Sequence, residues 1–374
     1  MDVYAAYCVD EDIRLKSSSG GMITILAEHV LDQGGVVYGV AMSDDCYAAE
    51  FIRVTDRNGL EKIRGSKYLQ AKVGDTFRRV KEDLESGRTV LFTGTGCQVN
   101  GVKAYLGKSY EKLYCVDVIC HGAPSPELWR EYVEFREREY SSKVTYVSFR
   151  CKDDKDWNGF NMKEIDANDK VVYISRHVDP YFSLFVSNLP LRPSCYECLA
   201  KKLKQSDLTV ADFWGIDDVE PEMNDNKGVS LVIVRTEKGK ELFSAVSKEL
   251  VLKSVSYEDG VRSNKSEYQS YPKPPKREAF FKDMRALIHE TGSVRDACER
   301  MHISYSTSWN LIHTLESQLH EPLIIRSQGG TRGSHSELTP YGEEFLKRYA
   351  RFSEETRSCS KKIFEECFGG FLNA

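Results

Sequence analysis

Cys195 and Cys198 form the only Cys-x-x-Cys of the chain, within Ser194-Cys195-Tyr196-Glu197-Cys198. Two intervening residues let both sulfurs face one metal centre, but a four-coordinate site then needs two more ligands from elsewhere. Cys97 and Cys120 are the candidates. Each follows a short apolar run, Thr89-Val90-Leu91-Phe92 and Val116-Asp117-Val118-Ile119, from which a strand would deliver it at a carboxyl end. A four-cysteine centre built this way organises the chain to about residue 280.

The remaining cysteines, Cys8, Cys46, Cys115, Cys151, Cys298, Cys359 and Cys367, lie in ordinary element-like stretches and read as structural residues. No apolar run approaches the length of a membrane span, and the first residues lack the pattern of a secretory signal, so a cytoplasmic protein is expected. In that reducing compartment eleven cysteines favour metal ligands, redox groups or core positions over disulfides. A net charge of -5 provides no overall attraction to nucleic acid or anionic membrane.

Residues 3–8 read as a strand. Ser17-Ser18-Ser19-Gly20-Gly21 then precedes an amphipathic helix over 22–33. Hydroxyls and glycines there suit either a plain helix cap or a pyrophosphate site at the helix's positive end. Buried strands follow at 36–41 and 51–54, and Arg64-Gly65-Ser66-Lys67-Tyr68 is a basic turn in which Lys67 is either a flavin or phosphate ligand or simply solvated. After a helix over 73–87 and the strand ending at Phe92, Thr93-Gly94-Thr95-Gly96-Cys97 is expected to open another helix. Residues 113–119 form the next strand and lead to Cys120-His121-Gly122, where His121 is a proton donor or a loop residue. This order favours a parallel α/β sheet with its functional loops on one side.

A charged helix at 127–140, alternating segments at 144–149 and 171–174, and an aromatic helix within 179–190 suggest an antiparallel insertion. Lys201, Lys202 and Lys204 follow the Cys-x-x-Cys and would favour a more negative centre. A core strand at 231–234 and a helix at 238–250 complete the first domain, residues 1–276.

Pro272-Lys273-Pro274-Pro275-Lys276-Arg277 is a stiff basic linker. The second domain, 279–374, has a helix-turn-helix pattern in which Tyr305, Ser306, Thr307 and Asn310 would face a major groove. Residues 323–335 look like a β-wing carrying Arg326 and Arg332, with His335 beside them, and Pro340 begins a long helix suited to homodimerisation. From 280 to 374 there are 12 Lys and Arg against 13 Asp and Glu, so affinity for double-stranded DNA is expected to be modest or dimer-dependent.

Taken in order, Ser17-Ser18-Ser19-Gly20-Gly21, Arg64-Gly65-Ser66-Lys67-Tyr68, Gly94-Thr95-Gly96-Cys97-Gln98, Ile119-Cys120-His121-Gly122, Cys195-Tyr196-Glu197-Cys198 and Asp212-Phe213-Trp214-Gly215 resemble the beta-subunit family of coenzyme F420-reducing hydrogenases and dehydrogenases. The resemblance covers residues 3–280. It implies FAD and a [4Fe–4S] cluster, with Cys97, Cys120, Cys195 and Cys198 as cluster ligands. It also implies that Ser18, Ser19, Gly20, Gly21, Lys67, Thr93, Gly94 and Thr95 contact the flavin; His121, from its place beside Cys120, is the catalytic candidate. Gly96 stands where the family usually has proline, which changes loop stiffness and keeps the ligand. Many bacterial relatives begin with a ferredoxin-like domain, whereas this sequence opens at the flavin domain. Electrons are therefore expected from a separate ferredoxin-like protein or subunit.

Residues 285–352 resemble the winged helix-turn-helix of molybdate-responsive regulators, close to the LysR type, through Ile303-Ser304-Tyr305, Glu321-Pro322-Leu323, Arg326-Ser327-Gln328-Gly329-Gly330 and Leu338-Thr339-Pro340-Tyr341-Gly342-Glu343. The expected fold is thus α/β, a mixed-sheet flavin and iron–sulfur domain with an antiparallel insertion, followed by a smaller winged-helix domain. Three functions fit this reading. The first is a FAD and [4Fe–4S] oxidoreductase acting on a hydride carrier or small organic substrate. The second is a regulator that uses the same centre as a redox sensor, and the third is a structural zinc scaffold.

Overall fold

A computed structural model describes residues 2–153, 157–274, 316, 321–327, 335–345 and 347–348. The chain divides into two units, Met1–Lys273 and Pro274–Ala374.

In the first unit β1 (Asp2–Cys8), α1 (Glu11–Lys16) and α2 (Met22–Asp32) lead to the hairpin β2 (Val36–Met42) and β3 (Ala49–Val54). Next come α3 (Arg57–Ile63), the short β4 (Ala71–Lys72), α4 (Thr76–Glu85), β5 (Val90–Thr95), α5 (Gly96–Leu106) and β6 (Leu113–Val118). Val90, Leu91 and Phe92 have no exposed surface, because α2 covers one face of the sheet while α4 and α5 cover the other. A continuous apolar run is what a doubly covered strand requires.

The insertion consists of α6 (Pro126–Tyr140), the antiparallel sheet β7 (Val144–Cys151), β8 (Asn161–Asp166) and β9 (Val171–Ser175), and α7 (Pro180–Val186). Trp129, Phe149, Tyr181 and Phe182 form its aromatic core. The chain then returns through β10 (Leu208–Asp212), α8 (Ile216–Val219), β11 (Ser230–Val234), α9 (Glu237–Ala245), β12 (Leu250–Ser254) and α10 (Tyr257–Val261).

These strands make a nine-stranded sheet in the order β12-β1-β11-β10-β6-β5-β2-β3-β4. Its centre, β10, β6, β5 and β2, is parallel. The sheet as a whole is mixed, as expected: β1 lies antiparallel between β11 and β12, β11 is antiparallel to β10, and β3 is antiparallel to β2. Three local expectations change. Strand β5 continues through Thr95 because its register with β6 holds to that residue, so the following helix starts only at Gly96. Strand β8 was not expected, its sequence Asn-Met-Lys-Glu-Ile-Asp being too polar to show an apolar run. Helix α9 ends at Ala245, and Leu250 already belongs to β12.

In the second unit β13 (Ile324–Ser327) and β14 (His335–Leu338) form an antiparallel hairpin, with Ile324 opposite Leu338. Thr339 Oγ1 donates to Pro322 O at 2.6 Å and accepts from Gly342 N at 2.8 Å, which closes the hairpin onto the helix over 340–345. Tyr305, Ser306, Thr307, Asn310 and Arg332 lie outside the described residues, as does the helix beyond 348; Arg326 contributes backbone to β13.

Candidate functional site: the carboxyl edge of the central strands

Thr95 of β5 faces Val118 of β6 in parallel register. Cys97 and Cys120 each stand two residues further on, so adjacent strands, about 4.8 Å apart, present the two cysteines side by side at one edge. The Cys-x-x-Cys segment is fastened to the same edge. Arg192 N donates to Ala123 O at 3.0 Å, and Ala123 N reaches Cys195 Sγ at 3.5 Å. Beyond Cys198, Ala200 packs against Gly96, where a Cβ would meet Ala200 Cβ at 3.3 Å. Glycine at 96 therefore admits the second cysteine segment close to the first residues of α5.

Two of the four thiols, Cys120 and Cys195, are raised in part by the others. Burial, then the charges of Cys97 and Cys195, push the Cys120 thiol up to about 12, with Lys201 opposing. Burial likewise raises Cys195, with Cys198 and Cys97 adding to it. Among the described residues no three His, Cys, Asp or Glu side chains converge as the ligands of a single ion must. The charges of Cys97, Cys195 and Cys198 all act on the Cys120 thiol, which puts the four cysteines in one neighbourhood.

The serine and glycine loop shares this edge. Cys8 N donates to Gly20 O at 2.7 Å as β1 ends, and Gly20 N donates to Ser230 Oγ at 3.0 Å where β11 begins. None of the serines caps α2. Ser17 Oγ donates to Ile13 O, Ser19 Oγ donates to Val229 O, and Ser18 Oγ accepts from Ser66 N at 2.8 Å. The N-cap of α2 is Gly21, at φ 92°, without a side-chain hydrogen bond. The plain serine cap is thus not what the loop supplies, and the helix's positive end stays free for an anion. Arg64 Nε, 3.2 Å from Thr24 Oγ1, brings a guanidinium to that first turn.

The Ser18–Ser66 bond draws the Arg64–Tyr68 turn onto the serine loop. Lys67, half-buried, caps the carboxyl end of α3 by donating to Arg64 O at 2.8 Å and Lys62 O at 3.1 Å. Burial pushes its ammonium down to about 7. Thr93 is nearly fully buried, and its hydroxyl donates to Tyr38 O at 3.1 Å. Thr95 and Gln98 form a capping box for α5, and Gly94 lies under Gln98, where a Cβ would meet Oε1 at 2.8 Å. His121 meets Asn188 Oδ1 at 2.6 Å, and its ring lies 4.1 Å from that of Tyr271. Burial lowers its pKa and favours the neutral ring, against the Asn188 bond.

Arg150 near the end of β7 and Lys152 just beyond it were not singled out in the sequence, where they follow Val-Ser-Phe with no motif to mark them. Arg150 bonds Asp212 at 2.8 Å, Tyr68 OH at 3.2 Å and Ser18 O at 3.4 Å, and its buried Nε has no partner among the described residues. Lys152 Nζ donates to Arg14 O, Lys227 O and Ser19 O. These two cations staple the insertion to the serine loop. Asp212 also accepts from Trp157 Nε1 at 3.0 Å, and the Trp157 and Trp214 rings stack 5.2 Å apart, which gives the Asp-Phe-Trp-Gly stretch a structural role.

The structure is thus a mixed α/β sheet whose carboxyl edge gathers four cysteines beside the glycine-capped start of α2. The chain belongs to the coenzyme F420 hydrogenase/dehydrogenase beta subunit family, a family of oxidoreductase subunits: the N-terminal part of that family matches residues 3–77 and its C terminus matches residues 87–259. Residues 282–343 match the bacterial regulatory helix-turn-helix proteins of the lysR family.

The coenzyme F420-dependent sulfite reductase of Methanocaldococcus jannaschii is 22% identical over 282 residues, which make up 69% of this chain and 41% of that protein. The molybdenum transport protein ModE of Azotobacter vinelandii is 31% identical over 90 residues, covering 23% of this chain. The chain thus spans about a third of the length of ModE. A chain of the F420-reducing [NiFe] hydrogenase complex from Methanosarcina barkeri aligns over 77% of this chain and 93% of its own, with 18% identity and a TM-score of 0.49. Among the described residues no helix is long and apolar enough to cross a membrane.

Proposed function

We propose that the first unit is a FAD and [4Fe–4S] oxidoreductase that passes electrons between a separate ferredoxin-like partner and a hydride-carrying or small organic substrate. The observation that carries this reading is the meeting of the Cys97, Cys120 and Cys195–Cys198 segments at one edge of the sheet, beside the uncapped end of α2. Cys97, Cys120, Cys195 and Cys198 would hold the cluster. The Ser18–Gly21 loop, the Arg64–Tyr68 turn and the Thr93–Thr95 strand end would hold the flavin. When bound, FAD exchanges a two-electron hydride and single electrons, which joins hydride chemistry to a cluster.

The chain's own residues bind and orient. The first turn of α2 offers N–H groups to a pyrophosphate while Arg64 supplies positive charge beside it. The Arg150–Asp212 pair fixes the loop that carries Ser18, and Lys201 offsets negative charge on the Cys120 thiolate. Asn188 fixes the His121 ring next to Cys120, where it is the candidate proton donor at the edge.

Anaerobic purification followed by an absorption spectrum and iron, sulfide, zinc and flavin analysis tests this proposal. About four iron and four sulfide with one FAD per chain are expected. Zinc without flavin would reduce the first unit to a structural scaffold.

The helix-turn-helix match favours a second reading, a redox-responsive regulator in the cytoplasm that dimerises through the helix beginning at Pro340. Tyr305, Ser306, Thr307, Asn310, Arg326 and Arg332 are its proposed DNA contacts. Salt-dependent binding to DNA upstream of the protein's own operon, compared in oxidised and reduced protein, tests it. Absence of specific binding in both states removes the regulator.

A further inference from the structure

The first unit ends on its own cysteine centre. Glu267, 1% exposed, pairs with Arg235 and with Lys204 at 2.9 Å. Gln269 O accepts from Lys201 Nζ at 2.9 Å, and Ser270 Oγ accepts from Cys198 N at 3.0 Å. The Tyr271 ring lies against His121, next to Cys120, with the Lys201 ammonium 5.8 Å over its face. Four of five consecutive residues therefore hold the two segments that deliver Cys120 and Cys198. Two residues beyond Tyr271 the first unit ends, and the linker to the helix-turn-helix follows.

We propose that residues 267–271 are a strap that positions the cysteine loop, with Ser270 and Tyr271 as positioning residues, so that filling the centre anchors the start of the linker. The inference rests on the reading of the four cysteines as cluster ligands. Cys198 opens a 3-10 turn over Leu199–Lys201 and has no side-chain cap within that turn. Its N–H would otherwise turn to water or to a sulfur, and Ser270 instead fixes the peptide that aims Sγ. Such outer partners set the orientation of a ligand and the hold on its metal. The coupling is reciprocal: a strap that favours the liganding arrangement is itself favoured when ligands are bound.

The test uses the full chain, purified anaerobically, with iron and sulfide counted. Deuterium uptake over residues 264–274 is compared before and after iron is removed with a chelator, with α9 as internal reference. Uptake over 264–274 is expected to rise several-fold on iron removal while α9 stays unchanged. Ser270→Ala is expected to lose iron to the chelator on the order of tenfold faster, Tyr271→Ala to follow it, and Ser270→Thr to hold iron as the parent does. Iron-bearing protein whose uptake is the same with and without iron overturns the strap and leaves the cluster reading standing, as does Ser270→Ala that keeps iron like the parent. A parent protein without iron and sulfide overturns both, and the metal count tells the two failures apart.

Discussion

Arg150 and Asp212, 62 residues apart, form a two-pronged ion pair, with Nη1–Oδ2 at 2.8 Å and Nη2–Oδ1 at 3.3 Å. The guanidinium side chain is 2% exposed and the carboxylate 16%. Removing one partner of such a pair strands the other charge. Arg150→Met is therefore expected to lower the unfolding free energy by about 3 kcal/mol in urea titrations and to weaken flavin retention, because Ser18 O and Tyr68 OH lose their shared donor. Arg150→Lys restores charge without the fork and should recover only part of both effects.

Serine substitution separates the two kinds of cysteine. Cys97→Ser, Cys120→Ser, Cys195→Ser and Cys198→Ser should each sharply reduce or abolish the iron and sulfide content. Cys115 has no exposed surface and lies in the core beneath α4 and α5. Cys115→Ser should keep the cluster while costing about 1–3 kcal/mol in stability, since the hydroxyl is buried among apolar neighbours. Iron analysis and thermal melts of the five variants decide this.

Gly20→Ala tests a glycine that the sequence assigned to flavin contact. A Cβ there would lie 2.5 Å from Ala6 O and 2.9 Å from Ser230 N, both backbone atoms. The strand ends must part to admit it, at a cost of about 1–3 kcal/mol measurable by chemical denaturation without any cofactor present. Gly65→Ala meets only Ser18 Oγ at 3.9 Å but sits at φ 82°, so its smaller cost is backbone strain alone.

Lys152 gives the fold a pH dependence. Burial, with Arg150 and Arg14 nearby, pushes its ammonium down to about 7, against about 10.4 in an unfolded chain. Between those values the unfolded chain binds more protons, so the lysine's penalty shrinks and stability rises as pH increases. Below about 7 both states are charged and the contribution is flat. The slope is at most about 1.4 kcal/mol per pH unit. Lys152→Met should lower that slope between pH 7 and 10 in urea titrations at stepped pH, with a loss of order in the serine loop as three carbonyls lose their donor.

Elements that carry their own pattern were readable in advance. The apolar run before Cys97, the helix after Gly21 and the alternation around Tyr146 each announce a local geometry. The approach of the cysteine segments at one edge was readable because Cys-x-x-Cys is a local spacing and Cys97 and Cys120 each follow a strand end. What stayed hidden depends on partners far along the chain. Nothing in residues 2–8 says that β1 will lie between β11 and β12, and nothing in Asn161–Asp166 shows that one face will be covered by aromatic side chains from α6 and α7. Arg150 is an unremarkable residue after a strand-like run until folding places Asp212 beside it. Thr93 looked like a loop hydroxyl because the sequence does not reveal how far register with β6 extends.

The interior position of β1 also sets an order of events during synthesis. Its hydrogen-bonding partners run from Ser230 to Val234 and from Leu250 to Ser254, so the earliest strand waits, unpaired on both edges, for almost the whole unit to emerge. Contacts of such long sequence separation form slowly and leave sticky edges open meanwhile. The serine loop is anchored at Ser230, and so it takes shape only after the segments carrying Cys97, Cys120, Cys195 and Cys198 are already outside the ribosome.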